Sequence, residues 1–141
     1  MRWQHPQRGL LRLEEFMPVA LDTGLIKAID EWVLRTVCRH SQAWQQRGKI
    51  SARTSVNISN SLFHGDTLVS VVEQALGQTG LTPACRELEL TESIVMRNVD
   101  ASISTLTTLR TMRGQLSIDD FGTGSALSRR LNPGSAQYSF D

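Results

Sequence analysis

Three short runs with strand-like alternation recur along this chain, and their spacing limits the fold more than any other feature. RTSVNIS (53–59), ELELT (87–91) and QLSID (115–119) place apolar residues at every second position. Each brings a polar residue toward its C-terminal end: Asn57, Glu89 and Asp119. Asn57 and Glu89 are 32 residues apart, and Glu89 and Asp119 are 30 apart. Each interval is about one βα unit long. Helical patterns fill both intervals, at Thr67–Thr79 and from Asp100 to Met112. This order predicts an α/β fold with parallel strands and right-handed crossovers. In α/β barrels, catalytic groups gather at the C-terminal strand ends.

The last run leads into QLSIDDFGTG (115–124). Adjacent strand residues point to opposite faces, so Asp119 and Asp120 can serve one site only if the strand ends between them. Gly122 and Gly124, around Thr123, permit that change of direction. Paired carboxylates at a strand tip suit Mg²⁺ or Mn²⁺, which prefer oxygen ligands. A surface loop with two solvated acids is the competing reading. Taken singly, Asn57 also fits a hydrogen-bonded strand residue, and Glu89 a solvated edge residue. Their equivalent positions in successive units favour a shared site.

Elsewhere, RWQHPQRG (2–9) reads as a strand end running into a loop, and Glu14–Leu21 as a short helix with Pro18 near its first turn. Gly24 is a suitable stop. A long helix is expected from Leu25 to Gln46, with Leu25, Ile29, Trp32, Val33 and Val37 as its apolar face and Gly48 closing it. Asp66 is a candidate N-cap for the Thr67–Thr79 helix, which should bury Leu68, Val71, Val72, Ala75 and Leu76 and stop at Gly80. Asp100 is a candidate N-cap for the next helix, and Gly114 its terminator.

A length of 141 residues suits one domain, and a net charge of +1 gives no reason to expect a nucleic acid polymer or an anionic membrane as partner. Cys38 and Cys85 lack metal-ligand spacing, and Cys38 falls in an apolar helical pattern that predicts a buried reduced thiol. MRWQHPQRG has no apolar signal core, and the long helix carries charges throughout. The expected location is cytoplasmic.

EFMPVALDTGLI (15–26), SVNIS (55–59), ELTES (89–93) and IDDFGTG (118–124), in this order, resemble the EAL domain, a bacterial signalling phosphodiesterase family that linearises cyclic di-GMP. RWQHPQRG resembles the segment just after that family's eponymous motif. The resemblance implies a TIM-type (β/α)₈ barrel, of which this chain would supply about four of the eight βα units. Residues 1–124 would be the N-terminal and central part of the domain, and 125–141 a divergent segment. It further implies metal ligation by Asn57, Glu89 and Asp119, with Asp120 holding a second metal. Glu92 would stabilise the DDFGTG loop, and Arg2 would contact a substrate phosphate. The implied reaction is two-metal hydrolysis of cyclic di-GMP to linear pGpG with Mg²⁺ or Mn²⁺.

The sequence also departs from the family pattern. The metal-binding glutamate of the eponymous motif would precede Met1. After FGTG the family continues with a Tyr-Ser-rich helix and a strand bearing a catalytic lysine. Here the chain reads SALSRRLNPGSAQYSFD, Ser139 falls about where that lysine belongs, and the lysines are Lys27 and Lys49. The expectation is a chain truncated at both ends and inactive alone. The alternatives are a degenerate module that binds a protein or senses the nucleotide, and a pseudogene product. Exposed sheet edges could then pair with a second copy or another chain.

Overall fold

A computed structural model describes residues 1–48, 54–64, 67–83 and 86–119. Strands β3 (Thr54–Asn57), β4 (Arg86–Thr91) and β5 (Gln115–Asp119) form a parallel sheet in the order β3-β4-β5. The polypeptide between them runs through α3 (Asn60–Phe63) and α4 (Thr67–Thr79), then through α5 (Glu92–Met96) and α6 (Val99–Thr111). The α/β expectation is met, as is the parallel pairing. α3 and α5 were not expected, because helices of four and five residues are too short to show a periodicity.

One face of the sheet makes the core. Val56, Ile58, Leu88 and Leu90 pack with Leu34, Leu68, Val72, Leu106 and Leu109 from the helices. α4 has the expected bounds and buries Leu68, Val71, Val72 and Ala75, while Leu76 is only half-buried.

The long helix is α2 (Ile26–Gln46), and its expected apolar face is met in part: Val33 and Val37 pack half-buried against the core, and Ile29 is half-buried. It buries Ile26, Leu34, Cys38 and Ser41, whereas Leu25 and Trp32 are 57% and 58% exposed. The buried face of α2 is thus shifted toward Leu34 and Cys38, and periodicity alone does not tell where along the apolar arc contact with the sheet ends. Cys38 is a buried free thiol, as expected.

The N-terminal strand runs into a turn as expected, but the chain then returns in a second strand, making a hairpin. β1 (Arg2–His5) pairs antiparallel with β2 (Gly9–Arg12), with Trp3 opposite Leu11. His5 Nδ1 accepts the N–H groups of Gln7 and Arg8 at 3.1 and 3.2 Å, and Gly9 turns the chain back with φ 73°. GLLR lacks alternation, which hid β2. The next helix, α1 (Leu13–Asp22), is held at its start by the Glu15 carboxylate, which accepts the Arg12 N–H at 2.7 Å. Pro18 lies inside α1 rather than in its first turn, so its missing N–H leaves the Glu14 carbonyl without its helical donor.

Two helix-end assignments also change. Asn98, not Asp100, caps α6, its Oδ1 accepting the Ala101 N–H at 3.3 Å. Asp100 instead sits in the first turn, where the helix dipole favours an acid. α6 is ended by Arg113, which takes the left-handed conformation at φ 60°, while Gly114 follows it into β5. Gly114 is needed for another reason: a Cβ there would lie 2.8 Å from Nη2 of Arg86. Arg86, only 1% exposed, extends β4 one residue before the expected start.

Candidate functional site

The face of the sheet opposite the core is polar. Strand alternation puts Asn57 opposite Val56 and Ile58, and Glu87 and Glu89 opposite Leu88 and Leu90. The register pairs Asn57 with Glu89, so two oxygen-bearing residues sit side by side on adjacent strands. Strand spacing brings their Cα atoms within about 5 Å. On the other side of β4, Glu89 pairs with Ser117 and Thr91 with Asp119. Position 119 therefore shares the face but lies one pleat repeat closer to the C-terminal end, roughly 8 Å from Glu89.

Asn57 is exposed and Glu89 half-buried, so both face a solvent-accessible surface. Asn57 also stands at the end of its strand. Ile58 N–H, just beyond it, donates to the Glu89 carbonyl at 2.9 Å, and Ser59 N–H donates to Asp30 Oδ2 of α2 at 3.2 Å. Ser59 then caps α3, accepting the Leu62 N–H on its hydroxyl at 3.4 Å. Glu92 opens α5 immediately after β4 and is half-buried. Arg2 lies apart, on the hairpin, where it lines a cavity of about 600 Å³ together with Trp3, Phe16, Leu25 and Trp32. Asp120, Gly122, Thr123 and Gly124 lie outside the described residues, as do Asp66, Cys85 and the 125–141 segment.

Asn57 and Glu89 are brought together and Asp119 is placed next to them by register, while Arg2 stays on a separate ribbon. The donor set fits a hard divalent cation, because amide and carboxylate oxygens are its preferred ligands. Among the described residues no group of three or more His, Cys, Asp or Glu is gathered to hold a metal. A further carboxylate would have to come from the Asp119–Asp120 step. Asp30 was missed from sequence. Its signal is an acid on the stripe Ile26, Asp30, Val33, Val37, which is otherwise apolar.

The EAL domain family model matches residues 1–132. The chain belongs to the EAL family. MucR of Pseudomonas aeruginosa, a bifunctional diguanylate cyclase/cyclic di-GMP phosphodiesterase, is 44% identical over 124 residues, covering 88% of this chain and 18% of that protein. NbdA of the same organism, a cyclic di-GMP phosphodiesterase, is 42% identical over 124 residues, covering 88% of this chain and 16% of that protein. The chain thus spans less than a fifth of these relatives. The solved MucR phosphodiesterase in complex with cyclic di-GMP superposes with TM-score 0.83 at 43% identity, over 95% of this chain and 55% of that one. The sheet described here is therefore part of an EAL barrel of TIM type. No helix among the described residues is long and apolar enough to cross a membrane.

Proposed function

We propose that this EAL chain carries part of a cyclic di-GMP phosphodiesterase site, with Asn57, Glu89 and Asp119 as metal ligands and Asp120 holding a second metal. The pairing of Asn57 with Glu89 across β3 and β4 supports this most directly. The resemblance of the sequence to MucR and NbdA, both phosphodiesterases of cyclic di-GMP, supports the substrate. Bound Mg²⁺ or Mn²⁺ would polarise a phosphodiester and activate a water. Asn57 and Glu89 would present their oxygens from a rigid sheet. Glu92, at the first turn of α5, would stabilise the loop after β5, and Arg2 would contact a substrate phosphate. The EAL part was expected to span residues 1–124, with 125–141 as a divergent segment; the family match runs on to residue 132.

Turnover by the 141-residue polypeptide alone is not expected. Catalysis in the family needs a lysine; of the two here, Lys27 sits on α2 with its Nζ 3.4 Å from the Thr67 hydroxyl, and Lys49 lies outside the described residues. A second reading, a module that binds nucleotide or protein without hydrolysis, is favoured by the accessible polar face at Asn57.

Calorimetry of cyclic di-GMP with the purified chain, with and without Mn²⁺, tests the proposal. Metal-dependent binding that falls at least ~10-fold in Glu89→Gln is the expected result, since a charged ligand is lost. Binding that is indifferent to Mn²⁺ and to Glu89→Gln would favour the non-catalytic module. Metal-dependent turnover lost in Asp119→Ala would overturn the expectation of inactivity.

A further inference from the structure

Asp30 is an acid on the stripe of α2 that runs along the sheet, and it is half-buried. Burial pushes its carboxyl pKa up, and hydrogen bonds from Ser59 partly oppose that shift. Its Oδ2 accepts the Ser59 N–H at 3.2 Å, two residues beyond Asn57.

The residue between them is pinned as well. Ile58 is 4% exposed, and its N–H donates to the carbonyl of Glu89 at 2.9 Å. The chain leaving β3 is therefore tied to β4 at Ile58 and to α2 at Ser59, and then enters α3 with Ser59 as its cap. Asn57, the last residue of β3, is exposed and has its neighbour Glu89 beside it in register.

We infer that Asp30 is a positioning residue for the strand-end site: by holding Ser59 it sets where Asn57 presents its amide beside Glu89. The inference rests on the metal-ligand reading of Asn57 and Glu89. A merely structural tie between helix and strand would stabilise the fold without affecting metal binding.

The experiment is a Mn²⁺ titration of the 141-residue chain followed by electron paramagnetic resonance, with the side-chain amide resonances of Asn57 recorded by NMR. Asp30→Ala removes the acceptor, whereas Asp30→Asn keeps an oxygen that can accept the Ser59 N–H. Ser59→Pro removes the donor at a residue whose φ of −75° suits proline. Ser59→Ala controls for the hydroxyl that Ser59→Pro also deletes. Asp30→Ala and Ser59→Pro should each weaken Mn²⁺ binding about 10-fold, the low end of the range for outer-shell partners. Asp30→Asn should stay within ~3-fold of the unsubstituted chain, because a neutral acceptor retains much of the bond. Asp30→Ala combined with Ser59→Pro should be no weaker than either alone, since both break one contact.

Unchanged Mn²⁺ affinity in Asp30→Ala would overturn the inference, as would an Asp30→Asn variant as weak as Asp30→Ala. Should Asp30→Ala fail to fold, Ser59→Pro against Ser59→Ala decides in the same way. If the unsubstituted chain takes up no Mn²⁺, the metal reading fails and the Asn57 amide resonances decide the positioning role. A shift in Asp30→Ala that is absent in Asp30→Asn supports it, and unmoved resonances in both overturn it.

Discussion

Replacing Gly114 with alanine should destabilise the chain by about 1–2 kcal/mol, from two opposed effects. The added Cβ would sit 2.8 Å from Nη2 of Arg86, closer than real Cβ contacts. Arg86 is 1% exposed, so its guanidinium has little room to move aside. Overpacking of this kind costs roughly 1–3 kcal/mol. Against it, the backbone of Gly114 lies outside the left-handed region, so alanine meets no φ penalty and restricts the unfolded chain. That restriction stabilises by about 0.4–1 kcal/mol. Urea unfolding followed by far-UV circular dichroism measures the difference. The same substitution in an Arg86→Met background should lose the clash and become stabilising by ~0.4–1 kcal/mol. A neutral or stabilising Gly114→Ala with Arg86 intact would refute the argument. The contact also bears on the site, because Arg86 and Gly114 precede the Glu87–Gln115 pair that starts the β4–β5 register, and that register places Asp119.

Asn98→Ala should cost about 1 kcal/mol by removing the cap of α6, measured by the same unfolding curves. Asp30 has a folded-state pKa above its unfolded value, so the native state holds the proton more tightly between the two. Its contribution therefore favours folding below the unfolded pKa and is lost as pH rises through the raised one, so Asp30→Asn should flatten that part of the Tm–pH profile. Cys38 is fully buried, and desolvation raises its thiol pKa against the opposing effect of Arg86. In a Cys85→Ser background its reaction with a thiol reagent should be slow in the native protein and become rapid in denaturant.

Much of the architecture was legible because it follows from local pattern. Thr67–Thr79 shows a helical stripe and a glycine stop, and the structure gives α4 those bounds. The alternation in SVNIS and ELELT placed Asn57 and Glu89 on the faces they occupy. The errors came where pattern underdetermines structure. Of the expected face of α2, Val33 and Val37 pack against the core while Leu25 and Trp32 are exposed, and only packing against the sheet and α4 set where the buried face ends. GLLR has no period, so β2 became visible only through its pairing with β1. Asn98 and Asp100 are both good capping residues, and backbone geometry chose Asn98.

The sequence by itself determined the family and the candidate ligands, because motif order and strand period are local properties of the chain. It also determined that these residues come at intervals of one βα unit. Tertiary structure decided that Asn57 and Glu89 are neighbours in register and that Asp119 stands one pleat further on. It also decided that Asp30, an inconspicuous helix residue, is bonded to the end of β3. Register and helix docking arise from contacts between segments distant along the chain, and no local pattern encodes which residue will face which.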